Sequence, residues 1–423
     1  MTLPVDEDRL REDLETNATF GAVEYDDPEK RGRTARTGTE ANRRARDHFV
    51  DRMEAADLDV TVDAVGNVVG VWRPASADRD APPVASGSHL DSVPEGGIFD
   101  GPLGVYAALE SVRAMQDAGV EPDRPIVVVS FTEEEGGTYG DGMLGSAVAT
   151  GETTAEEALA MTDDDGDTLE EALSRIGYRG EGTLDPASWD GFYELHVEQD
   201  TTLESVGADV GVVTTITGIT HCTVTITGEA NHAGATSMDE RTDALAAASE
   251  FVLDVESAAN EIVGASSETA VGTVGSLSVA PNATNVVPGH VAAGVDVRDV
   301  DHDSMDAIVA AARESLDRLE TERGVETSLD RPFDVAPEPM SDRLRAAVHE
   351  TAAAGGREAI DLRSGAAHDS MRVARVTDAS LLFAPSRDGI SHNPREWTDW
   401  GDCAAATEVL AGAIARTAGV DDE

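Results

Sequence analysis

Four short runs in this 423-residue sequence set histidines and carboxylates at spacings that suit a cation. In Gly87-Ser-His-Leu-Asp-Ser-Val-Pro-Glu-Gly-Gly-Ile-Phe-Asp-Gly, His89 precedes Asp91 by two residues, and Asp100 lies in a glycine-rich loop. Residues i and i+2 of a strand share a face, so Asp91 can orient a metal-binding His89. In Phe131-Thr-Glu-Glu-Glu-Gly-Gly, Glu133, Glu134 and Glu135 follow an apolar run. Such acids are either solvated or paid by a cation. Adjacent glutamates can supply a metal ligand and the general base of a hydrolysis. In Tyr193-Glu-Leu-His-Val-Glu-Gln-Asp, alternation puts Glu194, His196 and Glu198 on one face of a short strand, either exposed or gathered round an ion. In Gly389-Ile-Ser-His-Asn-Pro-Arg-Glu, His392 sits in a turn before Pro394, while His232 and His368 lie in small-residue loops. Asn282, Asn285 and Arg298 form a separate polar set, with Arg298 suited to a carboxylate ligand or to an ordinary salt bridge.

The elements around these runs explain how they could converge. Val84 to Ser88 and Pro125 to Phe131 read as fully buried strands of a parallel sheet. The first two runs follow them, at the carboxyl ends where α/β sheets bind ligands. Helices are expected over residues 39–53 and 103–118, and strand–helix alternation implies an α/β fold with a mixed, mainly parallel sheet. Near residue 212 the pattern changes to period two, and a β-α-β-β-α order follows, with helices from about Asp239 to Ile262 and Ser304 to Glu322. Residues 1–211 and 331–423 are therefore expected to form one discontinuous catalytic domain, with a small α+β insert over 212–330. The strand from Cys222 to Thr227 and the helix beside it read as an exposed edge that needs a partner.

Composition excludes several functions. The chain holds 83 acidic and 31 basic residues, of which only Lys30 is a lysine, for a net charge of −52. That charge repels phosphate backbones and anionic membranes. Spread over the whole chain, it reads as a solvation coat for a salt-rich cytoplasm. No apolar run is long enough to span a bilayer, and the first residues lack the basic and apolar regions of a signal peptide, so a cytoplasmic location is expected. Two cysteines, Cys222 and Cys403, make no disulfide framework. There is no Gly-x-Ser-x-Gly elbow and no phosphate-binding P-loop, and Asp163-Asp-Asp-Gly-Asp does not fit a calcium loop.

In order and spacing, the runs resemble the dinuclear-metal amidohydrolases of the M20 peptidase family, from Thr37-Gly-Thr-Glu-Ala-Asn and Asp63-Ala-Val-Gly-Asn to Ile390-Ser-His-Asn-Pro. Glu-Leu-His-Val-Glu-Gln, with its histidine, is similar to the hydantoinase/carbamoylase branch in particular.

The resemblance implies two divalent ions per subunit (zinc, manganese, cobalt or nickel), bridged by Asp100 and completed by His89, Glu135, His196 and His392. It implies that Glu134 is the general base, with Asp91, which orients His89, also among the catalytic residues. It further implies that His232 stabilises the oxyanion across a homodimer, that Asn285 and Arg298 hold a substrate carboxylate, and that Gln199 and the loop from Gly365 to His368 line the pocket. The implied reaction is hydrolysis of a linear C–N bond in an N-carbamoyl-L-amino acid or a related ureido acid, such as allantoate or N-carbamoyl-β-alanine. An aminoacylase or dipeptidase, and a silent metal-binding or assembly protein, are the alternatives. Gly137-Thr138-Tyr139, Thr236-Ser237-Met238, Gly365-Ala366-Ala367 and Glu198-Gln199-Asp200 depart from the usual motifs. These departures bear on the substrate more than on the reaction.

Overall fold

The computed structural model describes residues 2–420 and divides into two compact units, Met1–Thr214 with Pro339–Glu423, and Thr215–Glu338. Among the described residues a nine-stranded sheet dominates the first unit. Strands Val84–His89, Ile126–Phe131, Gly191–Val197 and Ala379–Ala384 lie parallel at its centre. Antiparallel strands flank them, Val68–Trp72 on one side and Val210–Ile216 on the other. Alternate residues of the central strands feed two cores. Ile126 and Val128 pack with the helix Pro102–Ala118, which is buried from Pro102 to Met115, whereas Val127, Val129 and Phe131 pack with Trp189 and Phe192. Burial on both faces is what a parallel sheet demands, and it accounts for the unbroken apolar runs. Because the four strands are parallel, their carboxyl ends lie along one edge, and each of the four histidine or glutamate runs lies at or beyond one of those ends.

In the second unit, four antiparallel strands lie in the order Glu326–Val335, Gly218–Thr227, His290–Asp299, Val271–Ala280. Helices Ala244–Ala265 and His302–Arg323 bury Phe251, Val255, Ile308 and Leu316 against Val224, Ile226 and Val291.

Three expectations need correction here. The stretch from Cys222 to Thr227 is not an edge, since its strand pairs on both sides. The unrecognised partner is Glu326–Val335, whose Pro332 and charges disguise it, and such residues are tolerated because this is an edge strand. That strand also carries the second unit past residue 330, to Glu338. The other edge is Val271–Ala280, where Val271 and Leu277 are about half exposed. Finally, the helix expected from Asp239 starts at Ala244, because the Asp243 carboxylate caps the amides of Leu245 and Ala246 at 3.0 Å.

No helix among the described residues is long and apolar enough to cross a membrane. The net charge of −52 gives self-repulsion that salt screens. The melting temperature, read by scanning calorimetry, should therefore climb between 0.1 M and 2 M sodium chloride. A flat or falling curve would remove the charge argument.

Candidate metal centre

Four loop or strand ends bring the centre together. His89 is the last residue of its strand, and His196 the last but one of its own. Glu134 and Glu135 follow the strand ending at Phe131, and His392 lies in the chain beyond the strand ending at Ala384. Glu133 and His392 both hold a left-handed backbone, φ 55° and 53°, a conformation that for non-glycine residues clusters at functional sites. Gly101, at φ 80°, admits the His89 ring, since a Cβ there would lie 2.5 Å from His89 Cε1.

Asp100 stands at the middle. Its Oδ1 lies 3.0 Å from His196 Nε2 and 3.6 Å from His89 Nε2. Its Oδ2 lies 3.3 Å from His392 Nε2, which is 3.2 Å from Glu135 Oε2. Two potential metal-binding groups, His89–Asp100–His196 and Asp100–Glu135–His392, therefore share one carboxylate, each using a different oxygen of it. Donors bonded to one ion at about 2.1 Å stand roughly 3.4 Å apart in a tetrahedron, so the spacing suits such an ion.

The imidazoles are aimed. His196 Nδ1 lies 3.0 Å from the Val197 carbonyl and His89 Nδ1 lies 3.2 Å from the Asp91 carbonyl. A carbonyl only accepts, so Nδ1 carries the proton and Nε2 presents its lone pair to the centre. His89 Nε2 is buried without a hydrogen-bond partner among the described residues, as a ligand atom facing a cation site would be.

Electrostatics agree with that fit. Burial pushes the Glu135 carboxyl up to about 8, with Asp100 adding to it. Burial also raises Glu134 well above the carboxylate range, with Asp369, Glu135 and Glu194 contributing. Against burial, His196 and His89 hold Asp100 well below that range. Burial and the neighbouring His196 hold His368 well below the usual histidine range. Crowded acids in a desolvated pocket call for positive charge. The donor set is imidazole and carboxylate without thiolate, which fits first-row divalent ions.

Two strand-face expectations fail. Asp91 lies beyond its strand; its carbonyl accepts from His89 Nδ1 at 3.2 Å, its carboxylate Oδ1 lies 3.8 Å from the same nitrogen, and the carboxylate oxygens are the acceptors for the amides of Glu134 (3.4 Å) and Glu135 (3.1 Å). Asp91 thus couples the His89 and Glu134 loops. Glu198 also lies beyond its strand and caps the amides of Thr202 and Leu203 at 3.1 and 3.0 Å. Glu194 is buried and bonds Ser88 and Ser370. Glu133 binds the amides of Thr138 and Tyr139, both at 2.6 Å, away from Asp100. Glu134 Oε2 lies 3.5 Å from His89 Nε2, beside the shared carboxylate.

A cavity of about 520 Å³ in the same unit is lined by Gln199, Asp200, Arg363, Gly365, Ala366 and Phe383, among others. His368 packs edge-on against His196, with ring centroids 4.6 Å apart. Gln199 Nε2 donates to Ser391 Oγ at 3.2 Å.

In the second unit, Val286 pairs with His232, and the Ala233 amide donates to the Asn285 carbonyl at 3.0 Å. His232 Nδ1 accepts from the amides of Gly234 (3.0 Å) and Ala235 (3.1 Å). Its proton is thereby placed on Nε2, a donor on an exposed ring. Arg298 stands apart on the four-stranded sheet, its Nε 3.0 Å from Asp296 Oδ1. Asn282, at φ 51°, sits in the turn before Asn285.

Sequence reasoning missed Ser391, Glu396 and Asp369. Ser391 Oγ lies 2.8 Å from Asp100 Oδ2, and Glu396 accepts from the Asp100 amide at 3.0 Å. Asp369 is buried, with Oδ1 2.5 Å from Ser146 Oγ and Oδ2 unpartnered among the described residues. Each adjoins or belongs to a run already singled out, but nothing in its type or spacing separates it from an ordinary polar residue.

Residues 85–416 match the model of peptidase family M20/M25/M40. The chain is 39% identical over 383 residues to an N-carbamoyl-L-amino acid amidohydrolase of Geobacillus stearothermophilus, covering 90% of this chain and 92% of that one. It is 34% identical to an allantoate amidohydrolase of Bacillus subtilis, covering 82% and 83%. A crystal structure of a hydantoinase/carbamoylase family amidase from Burkholderia multivorans superposes with a TM-score of 0.90 at 37% identity, covering 98% of both chains. With four parallel strand ends delivering two ligand groups around one aspartate, and similarity over nearly its whole length, the chain belongs to the M20 peptidase family, in its hydantoinase/carbamoylase branch.

Proposed function

We propose that this protein is a metal-dependent amidohydrolase that cleaves a linear ureido C–N bond in an N-carbamoyl-L-amino acid or a related ureido acid. The observation that carries this reading is the sharing of Asp100 by two ligand groups, with Glu134 beside it. Its relatives bear the names of N-carbamoyl-L-amino acid, allantoate and ureidoglycolate hydrolases, which supports a ureido substrate.

In this reading His89, His196 and Asp100 hold one divalent ion, and Asp100, Glu135 and His392 hold the other. Such ions acidify water and polarise a carbonyl oxygen. Glu134 takes the proton of the attacking water and returns it to the leaving nitrogen, a role that its raised proton affinity favours. The carbamoyl product then decomposes to carbon dioxide and ammonia. Asp91 keeps the Glu134 loop against the His89 loop. Gln199, Gly365 and His368 are assigned to the substrate pocket, and Asn285 and Arg298 to the substrate carboxylate, which would displace Asp296 from Arg298. The motif departure at Asp200 lines the cavity, and the one at Ala367 directly follows the lining residue Ala366, so they bear on side-chain preference.

His232 is assigned to the oxyanion, through its Nε2–H, in a site completed by a second copy of the chain. A homodimer in which each copy lends His232 to the other makes a sharp prediction. Glu134→Gln and His232→Ala chains, each inactive alone, should regain about a quarter of parental activity when dissociated and reassociated together at random, because only the mixed dimer has one intact site. No recovery in a dimer shown by light scattering to have exchanged would place His232 outside the partner's site.

Substrate choice is tested with a panel of allantoate, N-carbamoyl-β-alanine, several N-carbamoyl-L-amino acids, an N-acetyl amino acid and a dipeptide, each with zinc, manganese, cobalt and nickel. Highest kcat/KM on a ureido acid is expected. Preference for the N-acetyl amino acid or dipeptide would overturn the ureido assignment.

A further inference from the structure

Asp100 sits in a glycine-rich loop, between Gly97 and a Gly101 whose φ is 80°. It precedes the helix Pro102–Ala118 and belongs to no strand, so backbone ladders do not fix it. A shared ligand nevertheless demands fixed placement, because a small rotation would turn one oxygen away from its group. Something else must hold it, and that something comes from 296 residues further along the chain.

Glu396 is buried, four residues beyond His392. Its Oε1 accepts from the amides of both Phe99 and Asp100 at 3.0 Å. Its Oε2 lies 3.2 Å from Ser391 Oγ. Ser391 accepts from Gln199 Nε2, so its own proton is free for the nearer carboxylate, Asp100 Oδ2 at 2.8 Å. The approach is close enough that a Cβ on Gly97 would stand 2.0 Å from Glu396 Oε1, which only glycine avoids. The Phe99 ring also meets Trp397 and Trp400 edge-on or tilted, at centroid distances of 5.6 and 5.2 Å. The loop's general packing is thus separate from the carboxylate's grip.

We propose that Glu396 is a positioning residue for the shared ligand: it locks the main chain of Asp100, while Ser391 beside it gives its proton to Oδ2 and aims that oxygen at the group holding Glu135 and His392. This rests on Asp100 being a metal ligand. The role is orientation at a distance from substrate, of the kind that supporting partners of metal ligands supply.

The test is metal affinity, measured for each bound equivalent by competition with a chromogenic chelator, alongside melting of the metal-free protein. Glu396→Ala should weaken both equivalents by about 10- to 100-fold. Ser391→Ala should weaken chiefly one, because it touches only Oδ2. Glu396→Gln keeps a carbonyl oxygen for the two amides and should bind close to the parent. Parental affinity in Glu396→Ala would overturn the proposal, as would a Glu396→Gln loss equal to that of alanine. Should Glu396→Ala fail to fold, parental affinity for both equivalents in Ser391→Ala overturns it. A parent that takes up no metal sinks the reading of Asp100 and this proposal with it, whereas parent-like variants of a metal-binding parent sink this proposal alone.

Discussion

Replacing Glu134 with glutamine should lower kcat by about 100- to 10,000-fold while leaving metal content at the parental level. The change keeps the volume and removes only the ability to take a proton. Burial and its neighbours Asp369, Glu135 and Glu194 push Glu134 well above the carboxylate range, toward holding one. It lies beside His89 rather than between the two halves of Asp100. Inductively coupled plasma analysis and steady-state kinetics on the same sample separate the two effects. Retained turnover would assign proton transfer elsewhere, and Asp369, buried with a free oxygen, would be the next residue to test.

The second large effect is expected at Asp100. Asp100→Ala should reduce affinity for both ions together, by more than the ~10- to 100-fold that loss of a supporting partner costs. His196→Ala should spare the ion held by Glu135 and His392, and His392→Ala should spare the one held by His89 and His196. The asymmetry follows from geometry, since Oδ1 faces one group and Oδ2 the other. Calorimetric titration of the three variants with zinc or manganese distinguishes shared from independent sites. An Asp100→Ala protein that lost only one equivalent would mean that the aspartate is a terminal ligand.

The parallel strands were legible because burial on both faces writes long apolar runs, as at Val127 to Val129. The residues directly after them were legible because histidine and clustered acids are conspicuous there. What escaped depends on contacts between distant segments. Glu396 looks like one acid among many until its carboxylate is seen on the amides of Phe99 and Asp100. The strand Glu326–Val335 is polar because only one of its edges is paired. Alternation carried past the strand ends puts Asp91 and Glu198 on strand faces that they do not occupy. Strand ends are set by hydrogen-bond partners, and these ran out at His89 and Val197.

The claim beneath all of these predictions is that one carboxylate bridges two ions. Crystals grown with manganese, with data collected for anomalous signal, test it directly. Two peaks are expected, one on each side of Asp100: the first within bonding distance of His89 and His196, the second of Glu135 and His392. A single peak at full manganese occupancy, or two peaks with Asp100 touching only one, would contradict it.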